Sequence, residues 1–380
     1  MKLVGELHYM SLSRFRIRQQ KPNYLLAIII FIMVIFGLIM IYSASVVRSY
    51  ESFGYNYYFL NKQAISFFVG LVVWFIAAKI DYRVWQKYAF WLFLISLFFL
   101  VAVFIPGLGM ELQGANRWIS IGPIFFQPSE IAKFAFIIYL AAWLAKKGEG
   151  VKNFYSGFIP FAIMLGVLAL LIMKEPDMGT TIVMVAIAVA MFFTSGANIY
   201  HIGLGGAAAA FLFWILIKTS PYRLERLTVF LDPSSKSLAA GYHINQALLA
   251  IGSGGLFGLG FGQSKQKYLY LPETHVDSIY AIIVEELGFL RASLVIVAFI
   301  VIGYIGFGIA KNAPDMFSRL VAIGITTWFV VQAFLNIATM LGAVPLTGVP
   351  LPFISYGGSA LIVSLAAVGI LMNISKQGNR

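Results

Sequence analysis

The strongest constraint on this chain is a series of about ten apolar runs, most of them close to the roughly 20 helical residues that a bilayer core of about 30 Å demands. They fall approximately at Tyr24–Val46, Gln63–Ile80, Tyr88–Ile105, Ser129–Leu144, Phe158–Met173, Thr180–Ser195, Ile199–Ile217, Ser278–Ile309, Arg319–Ala343 and Ile354–Ile374. Backbone polar groups cannot go unsatisfied in hydrocarbon, so runs of this length read as helices. Composition agrees: 60% of the 380 residues are hydrophobic and only 11% charged, against roughly 25% charged in an ordinary soluble domain. The expected fold is an all-α integral membrane protein, with no intervening stretch large enough for a soluble core of its own.

The eighth run is long enough to project from the membrane or to kink near Gly303 and Gly306. The first run is longer than the apolar part of a signal peptide, about 7–15 residues, and reads as an uncleaved anchor. Orientation follows from the cations. Lys2, Arg14, Arg16, Arg18 and Lys21 precede the first span, and Lys79, Arg83, Lys87, Lys146, Lys147, Lys152, Lys311 and Arg319 fall on the same side. The short loops opposite hold only Arg48, Lys62, Arg117 and Lys174. Both termini are therefore expected in the cytoplasm. The layout is a basic tail (1–23), one polytopic domain (24–374) with a long outer loop (218–277), and a short tail (375–380).

The net charge of +12 is scattered between apolar spans, which suits anionic lipid better than nucleic acid. With no Cys, disulfides, thiolate metal sites and Cys nucleophiles are excluded together. The four His (His8, His201, His243 and His275) lack metal-ligand spacing, so a His-based zinc site is not expected and no residue is assigned as a metal ligand.

Chemistry concentrates in Tyr268–Gly288, YLYLPETHVDSIYAIIVEELG, where Glu273, His275 and Asp277 stand directly before an apolar run that ends in Glu285 and Glu286. Ionisable groups at the edge of an apolar span are costly and are kept for a partner or substrate. Asp277 also reads as an N-cap or first-turn acid favoured by the helix dipole. The segment closes the one long connection, about 60 residues, in a chain of short loops, and long loops are usually functional. Ahead of it Gly252–Gly262 lacks a Walker-type Gly-Lys-Ser/Thr, so it reads as a closely packed or re-entrant segment rather than a nucleotide site. Lys265 and Lys267 follow and could meet phosphate or a lipid headgroup.

In Gln127-Pro128-Ser129-Glu130-x-x-Lys133, Ser129 reads as an N-cap and Glu130 as a first-turn acid. Lys133 lies about a turn inside its span and needs a partner; Glu285 and Glu286, themselves inside a span, are the partners expected for it. Arg48, Arg117 and the Glu175-Pro176-Asp177 turn add polar points on the outer side. Together with Asp277 and Lys133 they describe a cation-rich site at the outer leaflet, suited to an anionic headgroup such as a lipid pyrophosphate. Pro345–Ser359, with three prolines and three glycines, cannot be regular helix and must be buried or line a cavity.

These motifs jointly resemble the SEDS proteins (shape, elongation, division and sporulation), which include FtsW and RodA. The matching residues are Tyr42-Ser43-Ala44-Ser45, Ala115-Asn116-Arg117-Trp118, Gln127–Lys133, Pro176-Asp177-x-Gly179-Thr180, Gly241-Tyr242, Gly252–Gly258, Leu271-Pro272-Glu273-x-His275-x-Asp277, Glu285–Gly288 and Pro350–Ser359 with Ser355. The resemblance implies a ten-span protein of the bacterial cytoplasmic membrane that polymerises lipid II on the outer face. It implies Asp277 as the catalytic carboxylate, acting as general base. Its partners would be a class B penicillin-binding protein transpeptidase and other membrane proteins of the division or elongation complex. Gly262–Lys267 resembles the FtsW branch more than RodA, which points to septal synthesis. The resemblance requires no cofactor, and whether Mg²⁺ or Mn²⁺ accompanies the pyrophosphate stays open. Val276, Ser278, Glu175 and Arg291 depart from the usual pattern. The alternatives are a lipid II flippase and a scaffold that activates a penicillin-binding protein.

Overall fold

A computed structural model describes residues 21–112, 115–122, 124–231 and 240–378. Lys2, His8, Arg14, Arg16, Arg18, Arg380 and the expected turn at Asp232-Pro233-Ser234-Ser235 lie outside the described residues.

Three helices, α1 (Tyr24–Phe53), α2 (Tyr58–Lys79) and α3 (Tyr82–Ala102), come first. The Asn23 side chain caps α1 by accepting from Leu26 N at 3.1 Å, and Gly54 ends it with a left-handed φ of 78° that a residue without Cβ adopts at no cost. Next comes a small antiparallel sheet of β1 (Gly109–Leu112), β2 (Ala115–Ile121) and β3 (Ile124–Phe126), in that order. Gly109 pairs with Ile119, and Ile119 with Phe126. The Trp118 and Phe125 rings stack at 4.6 Å on the same sheet.

Then follow α4 (Pro128–Lys147), α5 (Ile159–Lys174), α6 (Met178–Thr194) and α7 (Ile199–Lys218). The long connection is not irregular: it contains α8 (Pro221–Leu231) and α9 (Ala240–Gly254). The chain ends with α10 (Ile279–Leu287), α11 (Phe289–Lys311), α12 (Met316–Met340) and α13 (Gly358–Gln377). A capping box starts α12, with Asp315 accepting from Ser318 N at 2.8 Å and Ser318 Oγ from Asp315 N.

Among the described residues nine helices are long and apolar enough to cross a membrane, and α6, at 17 residues, is a shorter tenth. α4 and α12 bury most of their length and form the centre of the bundle, whereas α7 buries none of its side chains. A helix apolar all round that packs against little protein is one whose surroundings are lipid.

Three expectations need correction. The eighth apolar run is two helices, broken at Gly288 (φ 81°, ψ 165°) rather than kinked at Gly303 or Gly306. A Cβ at Gly288 would lie 2.4 Å from Gly258 N, so the break is where one backbone presses on another. Ser129 does not cap α4: Gln127 holds that position, Pro128 opens the helix, and Ser129 Oγ is buried without a partner. The all-helical expectation missed the sheet of 109–126.

Candidate active site

Asp277 ends the loop that leads into α10. Ser278, not Asp277, occupies the N-cap position, so the first-turn-acid reading does not account for this carboxylate. The residue is 8% exposed. Burial pushes its carboxyl from 3.8 up to about 6, with the Arg226 charge and hydrogen bonds to the carboxylate opposing the rise.

Its backbone is clamped from several elements. Asn336 Nδ2, on α12, donates to Asp277 O at 2.7 Å and to Val349 O at 2.8 Å. Ser355 Oγ donates to Val276 O and accepts from Leu351 N at 2.8 Å, while Tyr356 N donates to His275 O at 2.8 Å. Thr274 Oγ1 donates to Ala44 O of α1 at 2.8 Å. The Pro345–Ser359 segment is therefore a buried brace for the loop, as its irregular backbone at depth requires. Glu273 sits at φ 48°, a strained conformation for a residue with a Cβ, and its carboxylate pairs with Arg48 at 3.5 Å.

Before that loop, the glycine segment folds against α10 and α11. Leu259 N donates to Glu285 O at 2.9 Å and Gly260 N to Glu286 O at 3.0 Å. A Cβ at Gly258 (φ 82°) would lie 2.3 Å from Glu286 O, so the close-packed reading of these glycines holds. The carboxylates of α10 hold the same segment: Glu285 accepts from Ser264 Oγ and from Lys265 N (2.9 Å), and Glu286 accepts from Ser43 Oγ (2.7 Å) and pairs with Lys267 Nζ at 3.1 Å. Lys267 Nζ also donates to Gly262 O at 2.6 Å.

Lys133 pairs with Glu130 (2.8 Å), donates to Gln332 Oε1 (2.8 Å) and lies 4.9 Å from the Trp328 ring. It does not meet Glu285 or Glu286 as expected, because an acid one turn away on its own helix and a glutamine on α12 satisfy it first. Arg117 is not turned toward a headgroup either. Its Nε and Nη2 donate to Glu175 O and Pro176 O, both at 2.7 Å, and thereby hold the turn in which Asp177 caps α6 through Thr180 N (2.9 Å). His275 is 2% exposed, packed between Phe59 (4.1 Å) and Tyr356 (5.5 Å). Burial holds it down to about 3, hence neutral, which suits a packing role rather than a charged headgroup contact. Lys265 points outward. Glu175 is fully buried, and desolvation with Asp177 beside it pushes its carboxyl up to about 9.

A cavity of about 220 Å³ is lined by Arg48, Lys267, Leu269, Leu271, Pro272, Glu273 and Thr274. It runs along the loop that ends in Asp277, and cations and one carboxylate face it. Arg48, Lys267 and Glu273 thus line one cavity on the loop that leads to Asp277, while Arg117, Asp177, Glu130 and Lys133 serve the bundle. Sequence reasoning missed Arg226 on α8, whose charge reaches both Asp277 and His243 and which donates to Leu346 O at 2.7 Å. It also missed Asn336, Gln63 and Gln332. Their signal was a polar amide inside an apolar run. Among the described residues no group of three or more His, Asp or Glu could hold a metal ion.

The model of the family described as Cell cycle protein, covering FtsW, RodA and SpoVE, matches residues 23–380. The chain is 40% identical to Stage V sporulation protein E of Bacillus subtilis, over 94% of this chain and 98% of that protein. It is 41% identical to a probable peptidoglycan glycosyltransferase FtsW of Geobacter sp. strain M18, over 90% and 94%. Two solved structures share its fold at 24% identity. One belongs to a peptidoglycan synthase complex that coordinates polymerization and crosslinking (TM-score 0.77; 93% of this chain, 97% of that one). The other is the rod shape determining protein RodA of Thermus thermophilus (TM-score 0.69; 94% and 98%). By the match along almost its whole length, this chain belongs to the FtsW/RodA/SpoVE family.

Proposed function

We propose that this protein is a peptidoglycan glycosyltransferase that polymerises lipid II at the outer face of the bacterial cytoplasmic membrane, with Asp277 as general base. The observation that carries the reading is a buried carboxylate, shifted toward neutrality, on a loop braced by three separate elements, whose preceding residues line a cavity with Arg48 and Lys267. The relatives named as peptidoglycan glycosyltransferases support it.

In the charged form Asp277 takes the proton of an acceptor sugar hydroxyl as that oxygen attacks the anomeric carbon of the donor. The bond from that carbon to the pyrophosphate breaks, and the charge that develops on the leaving group is offset by nearby cations, Arg48 and Arg226 first. Attack opposite the leaving group inverts the anomeric centre. Burial serves this chemistry, since a base near the working pH accepts a proton more readily than an ordinary carboxylate. Both termini in the cytoplasm, a single membrane domain over 24–374 and a septal role belong to the same reading. So does a class B penicillin-binding protein as partner, supported by the fold shared with a chain of a peptidoglycan synthase complex.

The test uses purified full-length protein and lipid II without any partner, with glycan products resolved by gel. Glycan strands from the parent are expected, and their absence from Asp277→Asn. Strands from neither protein would favour a scaffold. Headgroup translocation in vesicles that persists in Asp277→Asn would favour a flippase.

A further inference from the structure

His243, on α9, and Ser278, at the start of α10, have no place in the mechanism above, yet they stand against its base. Both are buried, at 7% and 0% exposure. His243 Nε2 lies 2.6 Å from Ser278 Oγ. The same hydroxyl is 2.9 Å from Pro272 O and 3.4 Å from Asp277 Oδ1.

Proton counting decides the direction of these contacts. A serine hydroxyl carries one proton, and its neighbours Pro272 O and Asp277 Oδ1 are both acceptors. If Ser278 spent its proton on His243, neither acceptor would be served. The arrangement is satisfied only when the imidazole donates from Nε2. Neutral imidazole has one such N–H, and His243 is neutral: burial and the Arg226 charge hold it down to about 4.

We propose that His243 and Ser278 are a positioning pair for Asp277, in which Nε2–H of His243 holds the hydroxyl so that its single proton alternates between Pro272 O and Asp277 Oδ1. When Asp277 is charged, the proton turns to the carboxylate and fixes its orientation. Once Asp277 has taken a proton from the acceptor, the hydroxyl turns back to Pro272 O. The pair thus steadies the base before the reaction without competing for the proton afterwards. This rests on Asp277 being the base. The charged and titratable groups around the pair are Arg226 of α8, which disfavours charge on His243 and favours it on Asp277, Glu273 of the same loop, which raises His243, and the neutral His275 two residues before Asp277.

The test reads the Asp277 carboxyl directly, by infrared titration of full-length protein in detergent with Asp277→Asn as the blank, alongside the pH profile of lipid II polymerisation. Ser278→Ala should raise the carboxyl midpoint by about half a pH unit to one unit, since a hydrogen bond to the charged form is lost. The acid limb of the profile should move with it, and KM for lipid II should stay within about twofold. Ser278→Thr, which keeps a hydroxyl, should restore both. His243→Ala should move the midpoint in the same direction, and adding it to Ser278→Ala should move it no further, as coupled neighbours behave. An unmoved midpoint in both single variants, a threonine that fails to restore it, or additive shifts would overturn the pair. Polymerisation that survives in Asp277→Asn would sink the catalytic reading alone, because the infrared midpoint still decides the pair.

Discussion

At the scale of single residues, the balance between burial and charge at Asp277 makes two predictions. A carboxyl whose folded-state value lies above its ordinary one stabilises the fold while protonated, and that contribution is lost as pH rises through about 6. Asp277→Asn should therefore be more stable than the parent at pH 7.5, by about 3 kcal/mol for a shift near two units, with the gap closing below pH 6. Thermal unfolding at the two pH values measures it. Activity should run the other way, falling in the parent as pH drops through about 6. Glu175 offers a second case: with its carboxyl pushed from 4.5 up to about 9 it is neutral in the folded protein at pH 7 but ionised in the unfolded chain, so Glu175→Gln should keep activity there and melt above the parent, with the gap widening up to about pH 9 and closing toward pH 4.5. That Asp277 would be a buried acid was legible in the sequence, because an acid directly before an apolar run is costly to keep. The roles of Arg117 and Lys133 were not, because a cation's partner can be a backbone carbonyl or an amide 199 positions away, as Gln332 is from Lys133.

At the scale of elements, α10 holds the glycine segment through two buried acids. Lys267→Met would leave Glu286, which is 0% exposed, without its cation. Removing one partner of a buried pair costs about 3–5 kcal/mol, whereas removing both can be nearly neutral. The Lys267→Met variant should therefore melt well below the parent, and the double variant with Glu286→Met should recover much of the loss. Gly258→Ala should be worse placed still, since its Cβ would meet Glu286 O at 2.3 Å with no flexible side chain to give way; poor recovery of folded protein in detergent is the expected outcome. The helices themselves were readable from apolar run length. The break at Gly288 was not, because helix and re-entrant turn share one apolar composition and only the approach of Gly258 distinguishes them. The sheet of 109–126 was hidden by its shortness, with strands of 4, 7 and 3 residues.

At the scale of the whole molecule, the proposed orientation puts the Asp277 loop on the outer side of a bundle centred on α4 and α12, and Lys79, Arg83 and Lys311 on the cytoplasmic side. The natural sequence has no Cys, so single cysteines report topology without background. A Cys at exposed Tyr270 should react with an impermeant maleimide applied to intact cells, and one at exposed Lys311 only after the membrane is opened. Reversed labelling would invert the proposed orientation and put the cavity on the wrong side for its substrate. Family membership was legible from motifs spread from α1 to α13, several of which sit where backbone meets backbone or a charge is buried, as Gly258 and Glu286 do. What those motifs imply about catalysis comes down to one carboxylate. The most direct measurement is lipid II polymerisation by purified parent and Asp277→Ala proteins, side by side in the same detergent and with equal folded fractions. Glycan strands from the parent and none above background from the variant are expected; strands of equal yield from both would contradict Asp277 as the base.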